Sequence, residues 1–93
     1  MLFDEMGELW RKAQYADALR PAEQILEMYR RFLGPENIAV AVAANWCGQL
    51  LNLSARYADA EKQFREALRI VLQVVGEDSP GAAALYGNLA LSL

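Results

Sequence analysis

Apolar residues recur every three to four positions through most of the chain, which is the spacing of one face of an α-helix. The pattern is clearest in the fourth predicted helix, where charged residues occupy the other face. Its apolar stripe consists of Tyr57, Ala60, Phe64, Ala67, Leu68, Val71, Val74 and Val75. The periodicity predicts five helices, over about residues 2–13, 15–33, 37–54, 57–75 and 79–92. The connections between them are short, so successive helices should pack antiparallel.

Residues suited to helix ends agree with these limits. Gly34 and Gly76 follow apolar runs and can adopt the left-handed conformation that stops a helix. Asn37 and Ser79 are favourable N-cap residues. Pro21 lies inside the second predicted helix, where it should remove a hydrogen bond or bend the helix.

The chain contains an internal repeat. The tetrapeptide at Tyr15–Ala18 recurs at Tyr57–Ala60, and a shift of 42 residues superposes ten identical pairs without a gap. A fixed period of this length is typical of stacked helical repeats. We therefore expect one domain over residues 1–93, with a first repeat over about 1–35, a second over 36–77 and the first helix of a third over 78–93.

Composition narrows the classes of function. The net charge of −3 disfavours a nucleic-acid surface, and the chain has no His and a single cysteine, Cys47. Asp17 and Asp59 occupy equivalent helix starts, where a carboxylate stabilises the helix dipole. We find no arrangement for catalysis, metal binding or a cofactor, and we expect a protein that is not an enzyme.

Nineteen uncharged residues, 37–55, are long enough to raise the possibility of a membrane helix. Asn45, Gln49 and Asn52 within them would be costly in lipid, and the preceding repeat carries charges at the matching positions. The N-terminus lacks the basic region of a secretory signal. We expect no membrane association and a cytoplasmic location.

The second repeat resembles the tetratricopeptide repeat in the order and spacing of its small and aromatic residues. These residues are Gly48, Ala55, Tyr57, Ala60, Phe64 and Ala67. The 42-residue unit is similar to that of the kinesin-light-chain-like class. The resemblance implies an all-α solenoid of antiparallel helical hairpins in a right-handed superhelical stack. The first repeat departs from the pattern, with Met6 for the small residue, Ala22 for the aromatic and Ile25 for an alanine.

The resemblance also implies a concave groove lined by the first helix of each hairpin, in which a partner protein or peptide binds. The groove positions carried over are Phe3, Asp4, Gly7, Trp10, Arg11, Val42, Asn45, Trp46, Gln49, Asn52, Leu53, Ala84, Gly87, Asn88 and Leu91. The amides can bond to a peptide backbone, and Trp46 can anchor a partner. The alternative is that Trp10 and Trp46 pack between helices and that the amides bond to each other. The basic residues with which some members grip a terminal carboxylate are missing at these positions.

The last predicted helix has no charged residue, and its apolar surface calls for a covering partner. We expect a scaffold for protein–protein interaction, with self-assembly as the alternative. In the second case a dimer would form through Leu85, Leu89 and Leu93. A further alternative is that the chain is a fragment of a longer repeat array attached to an effector domain.

Overall fold

The computed structural model describes residues 1–92, which form five α-helices and no strand. The helices are α1 (Leu2–Arg11), α2 (Tyr15–Leu33), α3 (Ile38–Leu53), α4 (Tyr57–Val74) and α5 (Pro80–Ser92). Each helix packs against the next in the chain, and α3 also contacts α5. This arrangement confirms the predicted all-α stack of helical hairpins, with α3 at its centre.

The predicted caps form as expected. The side chain of Asn37 accepts a hydrogen bond from the Ala39 N–H at 2.9 Å. The Ser79 hydroxyl accepts from the Ala82 N–H at 3.1 Å and donates to the Gly76 carbonyl at 3.1 Å. Gly34 and Gly76 have positive φ angles of 92° and 90°, which only glycine adopts without strain.

Pro21 lies inside α2 without ending it, since the helix runs from Tyr15 to Leu33. Its ring nitrogen has no hydrogen, so the bond to the carbonyl of residue 17 is lost. The Pro21 ring itself is buried. The prediction of a missing hydrogen bond therefore holds, within a helix of the predicted length.

The first helix of each hairpin ends in a feature that the sequence analysis missed. Ala13 and Ala55 both adopt a left-handed conformation with φ of 60°. The N–H groups of Gln14 and Arg56 then reach back to the carbonyls of Leu9 (2.9 Å) and Leu51 (2.8 Å). These bonds satisfy helix-end carbonyls in a Schellman motif, and they end α1 two residues earlier than predicted.

The core centres on the contact between α3 and α4. Phe64 is fully buried, as are Ile25, Leu50 and Ile70 from three successive helices. Phe64 lies against Gly48, where an added Cβ atom would come within 2.5 Å of the Phe64 ring. A glycine at this position therefore permits the close approach of the two helices.

Candidate binding groove on the concave face

Four side-chain amides cluster where α3 faces α5. Asn45, Gln49 and Asn52 share one side of α3 because they are spaced by three or four residues, and Asn88 faces them from α5. The Asn88 Nδ2 donates to Oδ1 of Asn45 at 2.9 Å. All four residues are half-buried. We refer to Asn45, Gln49, Asn52 and Asn88 as the amide cluster.

A shallow cleft of about 250 Å³ opens beside the amide cluster. It is lined by Gln49, Asn52, Leu53, Asn88 and Leu91. Leu53 and Leu91 are exposed at its edges. The cleft therefore combines groups that donate and accept hydrogen bonds with apolar walls.

Trp46 lies next to the amide cluster and has two roles. Its ring meets Phe3 of α1 edge-on, with ring centroids 5.7 Å apart, and Phe3 in turn contacts Tyr29 at 6.2 Å. Trp46 also packs against the core, yet the side chain remains partly exposed. It thus combines the inter-helix packing and the open surface that the sequence analysis treated as alternatives.

Trp10 and Arg11 lie at the C-terminal end of α1, away from the start of the groove at Phe3. Trp10 is half-buried and packs against the core, and Arg11 is exposed. Among residues 1–92, no carboxylate forms an ion pair with Arg11.

A second cleft, of about 380 Å³, lies where α3 and α5 begin and α4 ends. We call it the end cleft. Its walls are almost entirely apolar, and sequence analysis did not identify it because its lining comes from three helices. The lining residues are Ile38, Ala41, Val42, Asn45, Val71, Val75, Ser79, Pro80, Gly81, Ala84 and Leu85. Val42, Asn45 and Ala84 belong to the predicted groove positions, so the end cleft and the groove share walls.

The family model for the tetratricopeptide repeat matches residues 9–73, which is well over half of the chain. The chain belongs to the tetratricopeptide repeat family. Members of this family generally mediate protein–protein interactions. No match was found among curated proteins. Within residues 1–92, no helix is long and apolar enough to cross a membrane.

Helix α5 turns a different side outward from the one expected from Leu85 and Leu89. Leu85 is only 4% exposed, and Leu89 is half-buried against the core, because α4 and α3 cover that side of α5. Both leucines therefore pack within the chain instead of offering a free surface, and Leu93 lies outside the described residues. The exposed side of α5 carries Ala83, Tyr86, Ala90 and Leu91.

The thiol of Cys47 is buried in the tetratricopeptide core. Burial, followed by the nearby charge of Glu23, raises the pKa of Cys47 from 9.0 to about 12. A neutral, enclosed thiol is a poor nucleophile. Cys47 thus serves as a small core residue.

Charged side chains of α4 form ion pairs on its solvent-facing side. Arg69 of α4 bonds to Glu66 at 3.0 Å and to Glu36 at 2.8 Å, and these two carboxylates raise its pKa. Arg65 and Glu61 form a pair one turn apart, at 3.5 Å. Such exposed pairs contribute little to stability. Helices α3 and α5 themselves contain no charged residue.

Proposed function

We propose that the concave face binds an extended, largely uncharged segment of a partner protein. One observation carries the proposal: the side-chain amide of Gln49 lines the cleft beside Asn52 and Asn88 and has no hydrogen-bond partner among residues 1–92. The Gln49 amide is therefore open to a ligand, and a hydrogen bond to it would contribute about 1 kcal/mol. An amide both donates and accepts, which suits the alternating N–H and C=O groups of a peptide backbone.

The neutral character of the segment follows from the helices that face it. Neither α3 nor α5 contains a charged residue, so a charged side chain bound between them would lose water without gaining an opposite charge. The exposed leucines Leu53 and Leu91 instead offer apolar contact at the edges of the cleft. Apolar side chains of the partner therefore fit beside the amide cluster.

Trp46 supplies the aromatic anchor in this proposal. Its edge-on contact with Phe3 fixes the ring, while its exposed part remains available to a ligand. A rigid aromatic side chain gains contact area at a small entropic cost, which is why tryptophan is frequent at binding hot spots. Trp10 and Arg11 extend the site toward the far end of α1.

Three further properties belong to the proposal. The 42-residue unit supports membership of the kinesin-light-chain-like class within the tetratricopeptide repeat family. The buried, neutral Cys47 supports a binding role in place of catalysis. A cytoplasmic location remains a prediction from the sequence.

The test begins with selection of short peptides from a random displayed library on the folded chain. Binding of a selected peptide is then measured by calorimetry for the variants Gln49→Ala and Trp46→Ala. We expect Trp46→Ala to weaken binding by about 2 kcal/mol or more, the scale of a hot spot. We expect Gln49→Ala to weaken it by about 1 kcal/mol, the net value of one hydrogen bond.

Gln73→Ala is the matched control, because Gln73 is an exposed glutamine of α4 that lines neither cleft. It should leave affinity unchanged, and circular dichroism should show the same helical content in all three variants. Selected peptides that bind equally well to the Gln49 and Trp46 variants would remove this face from the site. A library that yields no binder would contradict peptide recognition by this chain.

The exposed side of α5 favours self-association as a second candidate function. The residues of α3 that lie 42 positions before Ala83, Tyr86 and Ala90 are Ala41, Ala44 and Gly48. All three are buried in the α2–α4 stack, whereas their counterparts on α5 are exposed. We propose that a helix of a second copy covers this side of α5, as α4 covers α3.

Light scattering on a size-exclusion column tests the second candidate. We expect a dimer that dissociates on dilution, and Ala90→Arg should convert it to a monomer of unchanged helical content. Ala58→Arg, on the exposed side of α4, is the control that should leave the dimer intact. A monomer at all concentrations accessible to the measurement contradicts this candidate and leaves the groove proposal unaffected.

A further inference from the structure

The end cleft has a buried floor and an open, apolar rim. Ala41, Val71 and Leu85 form the floor and are almost inaccessible to solvent. Val42 and Val75 lie at the rim and remain about half exposed. Exposed apolar side chains that cluster around one cavity mark an interaction site. An opening of this shape, about 380 Å³ in volume, is at the small end of the range for binding pockets and matches one or two side chains.

The walls of the end cleft offer few groups to a polar ligand. Ser79 is occupied, because its hydroxyl already donates to Gly76 and accepts from Ala82. Asn45 accepts from Asn88 through Oδ1, which leaves its Nδ2 without a partner among residues 1–92. One free NH2 group beside apolar walls suits a large apolar side chain whose own backbone carbonyl accepts from Asn45.

The loops at the mouth of the end cleft are acidic. Glu77 and Asp78 lie in the α4–α5 loop between Val75 and Ser79, both of which line the cleft. Neither carboxylate forms an ion pair or hydrogen bond within residues 1–92. In the neighbouring α2–α3 loop, Glu36 is held by Arg69, which Glu66 also engages. The loop that adjoins the end cleft therefore carries two exposed carboxylates without a cation.

We infer that the partner segment places a large apolar side chain in the end cleft and a Lys or Arg side chain, next to it in sequence, against Glu77 and Asp78. This inference rests on the proposed groove, because Val42, Asn45 and Ala84 are walls of both. It adds the chemistry of the partner: a basic residue flanking an apolar anchor, at one end of a neutral segment.

Four synthetic peptides in the same Gly-Ser-Gln host test the inference. Three carry a central Phe followed by a pair of Lys, a pair of Gln or a pair of Glu, and the fourth carries Gln in place of Phe before the Lys pair. We expect affinity, measured by fluorescence anisotropy at low ionic strength, to fall in the order Lys, Gln, Glu for the three Phe peptides. The peptide without Phe should bind at least about 10-fold more weakly than its Phe counterpart, the loss expected for an anchor in a pocket.

Variants of the protein locate the two contacts. Ala84→Phe places a ring over the end cleft and should weaken the Phe–Lys peptide at least about 10-fold, whereas Ala58→Phe, on the exposed side of α4, should have no effect. The double variant Glu77→Gln, Asp78→Asn should weaken it about 3- to 10-fold in low salt, a value that added salt reduces because exposed charges are screened. Glu23→Gln with Glu27→Gln, exposed acids of α2, is the charge-matched control.

The outcomes separate this inference from the groove proposal. Equal affinity for the three Phe peptides, or preference for the Glu peptide, overturns the basic flank while groove binding stands. If library-selected peptides lose affinity with Trp46→Ala but keep it with Ala84→Phe, the end cleft is not used, and the groove proposal stands. Failure of both the four peptides and the library to bind overturns the two proposals together.

Discussion

The hairpins α1–α2 and α3–α4 each pair a large residue with a small one at equivalent positions, but on opposite helices of the hairpin. In the second hairpin, Gly48 on the first helix lies against the ring of Phe64 on the other. At the positions 42 residues earlier, the first hairpin has Met6 and Ala22, and both are buried. The large and the small residue have exchanged helices, and all four residues are buried.

The exchange explains why the first repeat departs from the family pattern and still folds as a hairpin. Close-packed interiors require the summed volume to fit, and they tolerate different residues that supply it. Methionine is suited to such a site because its unbranched side chain adapts to an irregular gap. We infer that the two hairpins differ in rigidity at this contact, since the Phe64 ring on glycine permits less adjustment than a flexible methionine on alanine.

The largest expected effect comes from removing the ring of the second hairpin. Phe64→Ala should lower the free energy of unfolding by about 3–5 kcal/mol, because it deletes a fully buried aromatic and leaves a cavity. Phe32→Ala is the matched control: Phe32 of α2 is 79% exposed, and its loss should cost about 0.5 kcal/mol or less. Urea unfolding followed by circular dichroism measures both, and equal losses would contradict the central place of Phe64.

The exchange itself can be tested in the first hairpin with a double-mutant cycle. Ala22→Phe alone should destabilise by about 1–3 kcal/mol, because the ring enters a space that Met6 already fills. Met6→Ala alone should also destabilise, by about 2–5 kcal/mol. The double variant should be more stable than the sum of these losses by about 1 kcal/mol or more, since it reproduces the small–large arrangement of the second hairpin.

The parent chain and the three variants are again compared by urea unfolding, and their transitions should have the same slope. Additive losses within about 0.5 kcal/mol would show that the two residues do not share one space. A slope that changes among the variants signals a change in the denatured state or a loss of two-state behaviour.

Gly48 and Gly87 offer the next comparison, because both lie inside helices but only Gly48 is in close contact with another helix. A Cβ at position 48 would meet the Phe64 ring at 2.5 Å, and none of the described atoms lies within 4 Å of a Cβ at position 87. Gly48→Ala should therefore destabilise by about 1–2 kcal/mol despite its better helix propensity. Gly87→Ala should stabilise by about 0.5–1 kcal/mol. Thermal unfolding of the two variants should shift in opposite directions, and a shared direction would refute this account of Gly48.

Helix positions were predictable from the sequence because each amphipathic helix carries its own signal. Asn37 and Ser79 mark helix starts, Gly34 and Gly76 mark helix ends, and all four act as predicted. The side of α5 that faces outward was not predictable in the same way. Apart from Asn88 and Ser92, that helix has apolar residues on all sides, so hydrophobic spacing cannot distinguish the covered Leu85 from the exposed Ala90.

In the candidate site, too, some features follow from residue spacing within one helix and others only from the packing of separate helices. The spacing of Asn45, Gln49 and Asn52 places them on one side of α3 from the sequence alone. The end cleft is different, because Val71 and Leu85 come together only when three helices pack. Tertiary packing also decides that Trp46 contacts Phe3, a residue more than 40 positions away in the chain.

The smallest expected effects concern the two alanines that end α1 and α3 in the same way. Ala13 and Ala55 are exposed and have φ of 60°, a conformation in which a Cβ atom is strained and glycine is not. Ala13→Gly and Ala55→Gly should each raise the free energy of unfolding by about 0.5–1 kcal/mol, since the relieved strain exceeds the added flexibility of the unfolded chain. Ala83→Gly, at an exposed position within α5, is the control and should lower stability by about the same amount. The two hairpins end their first helices with matching hydrogen bonds, so the two gains should be equal and additive in the double variant. A gain at only one alanine would show that the two turns are not equivalent, and a loss at both would contradict the strain that the φ angles indicate.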